Sequence, residues 1–321
     1  MIGNIIGLVI LVLIAVFFGW LTWRAWHAKN AIVKWMGVVF GALLTLVFAL
    51  VSVVIAMGLY QFYAPRGSPV EEIKVKGTPE QIARGQHLAG SLCVECHTTT
   101  GELPLSGGLD MAAEAPIPLG HVYPVNLTPA GPLKDWSDGE ILRALREGVD
   151  RDGNPLLVMS ANGVRYLSEE DKYAVIAYLR SQPPIVNEIP SPPDQPNLIV
   201  AAMVGAGIVP LRAPLVGNVS APPKAATAEY GKYIVAYQNC EMCHGKDLNG
   251  VATDPFIPHG PDLRVVKGWT LDQFVTTIRT GEDPGGHILS DAMPWKVIAR
   301  LDDEELGALY EYLRSLPPVQ K

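Results

Sequence analysis

Two long apolar stretches stand near the beginning of the chain, and charged residues become frequent only after them. Residues 2–23 and 35–65 contain no charged side chain over 22 and 31 positions. A helix needs about 20 apolar residues to cross the hydrocarbon core of a bilayer. The pattern therefore predicts a transmembrane hairpin over residues 1–64, with spans at about residues 2–23 and 36–62.

The connection between the two stretches holds the basic residues Arg24, Lys29 and Lys34. Because short basic loops tend to stay in the cytoplasm, we expect the chain after residue 64 on the outer side of the cell (inner) membrane. A cleaved signal peptide is the alternative for the first stretch, but this stretch lacks a basic leader and no A-x-A site follows it. We expect His27 to be an ordinary interfacial residue.

Beyond the hairpin, apolar residues recur with helical spacing, and no run alternates as a half-buried strand does. We predict helices over Pro79–Leu92, with Thr78 as the N-cap, and over Glu169–Ser181. Later counterparts are expected over residues 228–239 and 303–316. The fold class is therefore mostly α, with long loops.

Six prolines fall within residues 183–196, which predicts a stiff extended connector and not a packed element. The apolar residues 198–211 are too few to span a bilayer. We expect them to pack inside the protein, between the domains, with a partner or the membrane surface as the alternative. The predicted organisation is completed by a first domain over residues 75–182, a linker over 183–228 and a second domain over 229–317.

Hydrophobic residues make up 49% of the chain, and much of this excess lies in the hairpin. Residues 64–321 carry 22 basic and 32 acidic side chains, which gives them a net charge of −10. This division excludes a disordered chain, a simple soluble enzyme and a nucleic-acid binder with a broad basic face. It indicates an acidic water-soluble part on a membrane anchor.

All four cysteines of the chain fall into two C-x-x-C-H motifs, at residues 93–97 and 240–244. This motif is the attachment signal of c-type haem. On one helical turn, positions i, i+3 and i+4 share a face, so both thiols reach the haem vinyl groups and the imidazole reaches the iron. A zinc site or a redox C-x-x-C is the alternative, but neither requires a histidine directly after each pair. The predicted attachment residues and histidine ligands of two covalently bound haem c groups are Cys93, Cys96, His97, Cys240, Cys243 and His244.

A repeat in the sequence supplies one methionine for each motif. Met159 is followed at +8 by Leu-Ser and at +19 by Tyr-Leu-Arg-Ser, and Met293 is followed at the same spacings by Leu-Asp and Tyr-Leu-Arg-Ser. The identical spacing indicates two copies of one unit. Since methionine is a common second axial ligand of haem iron, we predict Met159 and Met293 as ligands.

The repeat extends upstream of the methionines. Residues 136–148 align with residues 269–281 as a tryptophan, a capping Ser or Thr, and a helix closed by glycine. Gly85 and Gly231 hold equivalent positions before the motifs, where we expect them to let the terminal helix approach closely. The remaining candidate ligands lack a partner in the other copy. They are Met111, Met203, Met242, His87, His121, His259 and His287.

The two units, over residues 75–317, resemble class I cytochrome c domains of bacterial multihaem respiratory proteins. Residues 126–128, 144–148 and 167–170 are similar to segments of the membrane-associated cytochrome subunits that serve periplasmic alcohol and sugar-acid dehydrogenases. Those subunits usually have three haems, whereas two transmembrane helices with two haems are similar in layout to the dihaem subunit of cbb3-type oxidases. Dihaem c subunits also occur in quinol-oxidising complexes. The resemblance implies axial pairs His97–Met159 and His244–Met293, and contacts of Trp136 and Trp269 with haem propionates.

We therefore expect a membrane-anchored electron-transfer subunit without catalytic residues of its own, with its haem domains on the periplasmic side. It would relay single electrons between a quinol-oxidising complex or dehydrogenase and a downstream cytochrome, terminal oxidase or reaction centre. The expected partners are other subunits of a membrane complex and an acceptor with a basic docking face, and nucleic acid is not an expected partner. The alternative is a dihaem redox enzyme such as a peroxidase or a thiosulfate-oxidising cytochrome, which needs an open sixth position. A structural subunit with incidental haems is a third possibility.

Overall fold

Helices account for most of the regular structure, as the sequence predicts. The computed structural model describes residues 2–113, 115, 117–192, 194–209, 211, 217–250 and 258–318. In these residues the α-helices are α1 (Ile2–Trp26), α2 (Ala31–Tyr63), α3 (Pro79–Leu92), α4 (Val94–His97), α5 (Asp138–Glu147), α6 (Glu169–Ser181), α7 (Leu198–Gly205), α8 (Ala228–Tyr237), α9 (Glu241–His244), α10 (Leu271–Thr280), α11 (Trp295–Ile298) and α12 (Asp303–Ser315). The strands are β1 (Gly120–Val122) and β2 (Asp194–Pro196), and short 3-10 helices lie at Pro132–Asp135, Met159–Ala161, Gly163–Tyr166 and Leu263–Gly268.

Helices α1 and α2 form a hairpin, as predicted, and pack along each other. The rings of Phe18 and Phe48 stack with their centroids 5.7 Å apart. A Cβ atom on Gly41 would lie 2.4 Å from Oγ1 of Thr22, so the two backbones approach closely there. Both helices are long and apolar enough to cross a membrane, and most of their surface is exposed.

Within residues 75–182, the predicted first domain, α3 packs against α6 through a glycine, as the sequence predicts. A Cβ atom on Gly85 would lie 1.9 Å from the carbonyl oxygen of Ala174, so a side chain here would push the helices apart. Thr78 caps α3 in a capping box with Gln81. Both predicted helices of this domain have the predicted bounds.

The second domain repeats this arrangement with α8 and α12. A Cβ atom on Gly231 would lie 2.0 Å from the carbonyl oxygen of Ala308. Helix α8 ends two residues before the predicted position, because Asn239 adopts the left-handed conformation with φ of 56°. Helix α12 ends at Ser315, one residue before its predicted end.

The helices that precede the two predicted methionine ligands also correspond. Ser137 is the N-cap of α5 and Thr270 is the N-cap of α10, each in a capping box with the residue three positions later. The two helices end at Gly148 and Gly281, which adopt left-handed φ values of 65° and 77°. Glycine is the residue that accepts this conformation without steric cost.

The connector over residues 183–196 is extended, but the prediction that it is not packed is wrong. Its strand β2 pairs antiparallel with β1, with Gly120 opposite Pro196. Nδ2 of Asn126 donates to the carbonyl oxygen of Ile185 at 2.7 Å. Proline-rich chains keep their carbonyl groups as acceptors, and donors from the first domain satisfy them here. The connector is therefore fixed to the first domain.

The apolar segment after the connector forms α7, which packs against the hairpin rather than between the two domains. A Cβ atom on Gly58 would lie 1.8 Å from the carbonyl oxygen of Ala201, and one on Gly205 would lie 1.8 Å from that of Val54. The expectation of packing within the protein is thus confirmed, but its expected place is wrong. Pro210, a member of the segment, lies outside the described residues.

The two domains contact each other reciprocally. The 3-10 helix Gly163–Tyr166 of the first domain packs on α8 of the second, and α11 of the second packs on α3 of the first. A Cβ atom on Gly163 would lie 2.2 Å from the carbonyl oxygen of Tyr237. At the other contact, Arg300 donates to the carbonyl oxygen of Gly101 at 2.6 Å. The chain after each predicted methionine ligand thus meets the haem-motif region of the other domain.

An ionic cluster at this interface is centred on Arg84. Its Nε donates to Asp171 at 2.8 Å within the first domain, and its Nη1 donates to Glu305 of the second domain at 3.0 Å. The hydroxyl of Tyr233, also in the second domain, donates to Asp171 at 2.7 Å. Buried charges are stable only when they are paired and hydrogen-bonded, and these are.

Candidate haem sites

Each C-x-x-C-H motif forms one short helical turn. In α4 and in α9, the first cysteine precedes the turn and the histidine is its last residue. The backbone N–H of His97 donates to the carbonyl oxygen of Cys93 at 2.8 Å, and that of His244 donates to Cys240 at 3.0 Å. The thiols and imidazole of each motif therefore share one turn of helix, as their spacing predicts.

Matching hydrogen bonds orient the two imidazole rings. Nδ1 of His97 lies 2.8 Å from the carbonyl oxygen of Val125, and Nδ1 of His244 lies 2.8 Å from that of Pro261. Because a carbonyl oxygen only accepts, Nδ1 carries the proton in both rings and Nε2 has the lone pair that can ligate a metal. Burial lowers the pKa of both histidines, although these hydrogen bonds act in the opposite direction, so the rings are neutral at pH 7.

A cavity of about 740 Å³ lies beside the first motif. It is lined by Cys93, Cys96, His97 and Met159, so the structure brings together the four predicted residues of the first site. Trp136, the predicted contact of a haem propionate, lines the same cavity. Most of the remaining wall is apolar and includes Leu92, Leu127, Leu133, Ile141, Leu145, Val175 and Leu179. The volume is within the usual range of about 300–1,000 Å³ for cofactor pockets.

The loops that carry the two predicted methionine ligands begin with the same turn. The backbone N–H of Leu156 donates to the carbonyl oxygen of Gly148 at 2.8 Å, and that of Leu289 donates to Gly281 at 2.7 Å. Each glycine is the left-handed residue that ends the preceding helix. The repeat seen in the sequence therefore has a counterpart in the backbone geometry of these loops.

The second set of predicted residues lies against the hydrophobic core that the two predicted domains share. Cys240, Met293 and the predicted propionate contact Trp269 are half-buried against this core, and His244 is buried. A Cβ atom on Gly260 would lie 2.5 Å from the ring of His244, so this glycine leaves the space that the ring fills. Residues 251–257, between the motif and this glycine, lie outside the described residues.

The other candidate ligands lie in different surroundings. Met111 also lines the first cavity, but it is 44% exposed. His87 and His121 contact carboxylates, namely those of Glu305 at 2.6 Å and Asp110 at 2.7 Å. Met203 lies on α7, which packs against the hairpin. Exposed positions are held by Met242, His259 and His287.

The cysteines lack the environment of a redox-active pair. Burial raises the pKa of Cys93 and Cys240 to about 12, and that of Cys96 to about 11. Burial also raises the pKa of Cys243. Redox-active C-x-x-C pairs have a lowered thiol pKa. All four cysteines are free of disulfide bonds, which leaves both thiols of each motif available for thioether attachment.

The sequence did not lead us to the carbonyl groups of Val125 and Pro261, because any residue can supply a carbonyl. A signal exists in the residue that follows each of them. The side chain of Asn126 accepts from the N–H of Thr128 at 3.0 Å, and Asp262 accepts equivalently from Arg264 at 2.9 Å. An Asn or Asp followed by leucine therefore marks the acceptor carbonyl in both domains.

Residues 228–317 match the family model described as cytochrome c. These residues form a cytochrome c domain. Covalently bound haem c is the cofactor of such a domain, and the residues of the C-x-x-C-H turn, the neutral imidazole and the half-buried methionine fit that group.

Several relatives are cytochrome subunits of larger enzymes. The chain is 36% identical over 101 residues to the gluconate 2-dehydrogenase cytochrome c subunit of Pantoea cypripedii. The aligned residues cover 30% of this chain and 22% of that subunit. It is 26% identical over 259 residues to the cytochrome c subunit of alcohol dehydrogenase (quinone) of Gluconacetobacter polyoxogenes, covering 71% of this chain and 54% of that subunit.

A third relative is a diheme cytochrome c-type protein of Cereibacter sphaeroides, 35% identical over 124 residues, which covers 37% of this chain and 41% of that protein. The chain spans between 9% and 54% of the length of the curated relatives that it matches. These relatives support a c-type cytochrome linked to a membrane electron-transfer complex.

Proposed function

We propose that this chain is a membrane-anchored dihaem cytochrome c that relays single electrons within a larger oxidoreductase complex. The observation that carries the proposal is the pair of matching hydrogen bonds from His97 to Val125 and from His244 to Pro261. Each bond leaves the Nε2 lone pair free to bind a metal at the end of a C-x-x-C-H turn; His97 is half-buried and His244 is buried. Bound haem c supplies reversible one-electron oxidation and reduction.

In this proposal the first haem is attached to Cys93 and Cys96, and the second to Cys240 and Cys243. The axial pairs are His97 with Met159 and His244 with Met293. A methionine ligand raises the reduction potential relative to a second histidine, which suits an electron carrier of a respiratory chain. Two protein ligands on each iron leave no open position for a substrate, so we favour a relay over a dihaem peroxidase or thiosulfate-oxidising cytochrome.

We further propose that residues 75–182 form a second cytochrome c domain, although the family model matches only residues 228–317. The corresponding contacts of Gly85 and Gly231 support this proposal, as do the corresponding hydrogen bonds of the two histidines. Both domains also have the same glycine-closed helix before the methionine loop.

The donor and the acceptor follow from charge and from the relatives. The names of two relatives, cytochrome c subunits of dehydrogenases, support a dehydrogenase as the electron donor. A quinol-oxidising complex is the other donor class. Since residues 64–321 carry a net charge of −10, we propose an acceptor cytochrome, oxidase or reaction centre with a basic docking face. We place the haem domains on the periplasmic side, because the connection between α1 and α2 is basic.

The haem count tests this proposal directly. Intact-mass spectrometry of the purified full chain should show two added haem groups. Replacing both cysteines of either motif by serine should remove one haem and leave the other. Carbon monoxide should not bind the reduced wild-type protein, because both sixth positions are filled. Rapid carbon monoxide binding to one haem would favour a dihaem redox enzyme and contradict the relay.

A further inference from the structure

The apolar segment 198–211, which contains α7, has no part in the electron-transfer proposal. It contains no charged residue. Ala201 and Val204 on one side of α7 are buried against the hairpin, whereas Ile199 is 42% exposed. A helix that is apolar on all sides and only partly covered by protein requires another apolar surrounding.

The level at which α7 begins is fixed by α1. Nδ2 of Asn4 donates to the carbonyl oxygen of Pro196 at 2.7 Å. Asn4 lies in the first turn of α1, and α7 begins two residues after Pro196. A Cβ atom on Gly7 would lie 2.4 Å from Cδ1 of Leu198, which is the first residue of α7. Helix α7 therefore starts level with the outer end of the first proposed span.

The direction of α7 is fixed by α2. Gly58 faces Ala201, and Val54, one helical turn closer to the middle of α2, faces Gly205. Helix α7 thus runs antiparallel to α2, from the outer end of the hairpin towards its middle. Its eight residues span about 12 Å at 1.5 Å per residue, which is less than half of a hydrocarbon core of about 30 Å.

The chain turns at the inner end of α7 and comes back to the same cluster. Gly207 adopts a left-handed φ of 75°, and Ile208 after it is 51% exposed. Leu211 is 3% exposed and packs with Ile55 and Leu59 of α2. Apolar segments of about 10–14 residues occur as buried core helices or as re-entrant or interfacial elements. The exposed side chains of Ile199 and Ile208 distinguish this segment from a buried core helix.

We propose that α7 and the turn after it, residues 198–209 together with Leu211, form a re-entrant segment whose free side is covered by acyl chains of the outer leaflet. The proposal rests on the membrane anchoring of the hairpin in the proposed function. Continuity supports lipid as the occupant, because α7 packs on α1 and α2, whose outward residues are apolar and largely exposed. Leu119 and Leu157 of the first domain pack against the same cluster, so this segment fixes that domain at the bilayer surface.

Photocrosslinking to lipid tests the segment in the haem-loaded full chain. A benzophenone amino acid is introduced at Ile199 or Ile208, and each variant is reconstituted into phosphatidylcholine vesicles. Val39, which is 64% exposed on α2, is the control inside the membrane, and Val186, which is 86% exposed on the connector, is the control in water. Haem content verifies that each variant folds, and mass spectrometry detects the crosslinked product after irradiation.

We expect a mass increase of one phospholipid at the two segment positions and at Val39, with none at Val186. Lipid at Val39 but not at Ile199 and Ile208 would overturn the re-entrant segment and leave the hairpin anchor intact. A crosslink between two protein chains at Ile208 would show that a second copy covers this side, and it would also overturn the proposal. Absence of lipid at Val39 as well would contradict the membrane anchor itself, and the segment with it.

Discussion

Nε2 of His87 lies 2.6 Å from Oε2 of Glu305, and these two residues belong to different domains. The Glu305 side chain is completely buried, and its other oxygen accepts from Arg84 at 3.0 Å. Burial alone would raise the pKa of Glu305, but the hydrogen bond and charge of His87, together with Arg84, lower it to about 2. The carboxylate is therefore held in its charged form between the two domains.

The pH dependence of stability should reveal this carboxylate. Folding lowers the pKa of Glu305 from its ordinary value of 4.5 to about 2. Its contribution to the free energy of unfolding is therefore complete above pH 4.5 and is lost as the pH falls towards about 2. We expect Glu305→Gln to destabilise the protein by about 3 kcal/mol at pH 7, because it removes the buried charge that pairs with the half-buried Arg84 and accepts from His87 across the domain contact. The difference from the wild type, measured by urea unfolding, should shrink between pH 4.5 and 2.

Glu304 provides the matched control, since it is the exposed neighbour on the same helix. Glu304→Gln should change the free energy of unfolding by less than about 0.5 kcal/mol at every pH. Equal effects of the two substitutions would contradict a specific role of the buried carboxylate.

The close approach of α8 and α12 predicts a sharp difference between two glycines of the second domain. Gly231→Ala places a methyl group 2.0 Å from the carbonyl oxygen of Ala308, and we expect a loss of about 1–3 kcal/mol from overpacking. Gly268→Ala meets no atom within 4 Å and should change stability by less than about 0.5 kcal/mol. Thermal unfolding followed by circular dichroism measures both, and an unchanged melting temperature for Gly231→Ala would contradict the helix contact.

The first cavity contains two methionines, and only one of them has the repeat spacing. Met159→Leu should free the sixth coordination position of one haem iron. Carbon monoxide should then bind one of the two haems of the reduced protein. Met159→His should keep the iron six-coordinate and lower the potential of that haem, because methionine ligation raises it. Absorption spectroscopy with carbon monoxide and a redox titration measure the two effects.

Met111 is the control for this experiment because it lines the same cavity. Met111→Leu should leave both carbon monoxide binding and the potential unchanged. The opposite result, with Met111→Leu allowing carbon monoxide to bind and Met159→Leu having no effect, would assign the ligand to Met111 and contradict the assignment of Met159.

The orientation of the hairpin depends on three basic residues. Replacing Arg24, Lys29 and Lys34 together by glutamine should leave part of the chains with their haem domains on the cytoplasmic side. Digestion by protease from outside intact spheroplasts should then cleave fewer chains than in the wild type. Glutamine at Lys74 and Lys76, beyond the hairpin, should not alter this fraction. Unchanged digestion of the triple variant would show that these charges do not determine the orientation.

Local features of this protein were predictable from its sequence. The bounds of Pro79–Leu92 and Glu169–Ser181 are confirmed, because capping residues and apolar spacing define both ends of these helices. The close contacts of Gly85 and Gly231 are confirmed as well, since equivalent positions in a repeat must meet equivalent neighbours. The grouping of Cys93, Cys96 and His97 follows from motif spacing, which acts over one turn of helix, whereas Met159 was predicted from the spacing of the repeat.

The misplaced features depend on contacts between distant parts of the chain. Strands β1 and β2 have three residues each, which is too short to show alternation, and they pair across more than 70 positions of sequence. The apolar character of α7 indicated burial but could not indicate the surface that covers it. The place of α7 depends on Gly58 and Gly205, whose missing side chains leave no hydrophobic signal.

The packed connector has a consequence for how electrons leave this protein. Hydrogen bonds fix the connector to the first domain, α7 joins that domain to the hairpin, and Arg84 and His87 join the second domain to the first. Both predicted haem domains are therefore held at a fixed distance from the hairpin and do not move on a flexible linker. A redox partner has to diffuse to these domains and dock. The rate of electron transfer to it will therefore depend on the concentration and charge of the partner rather than on the length of a linker.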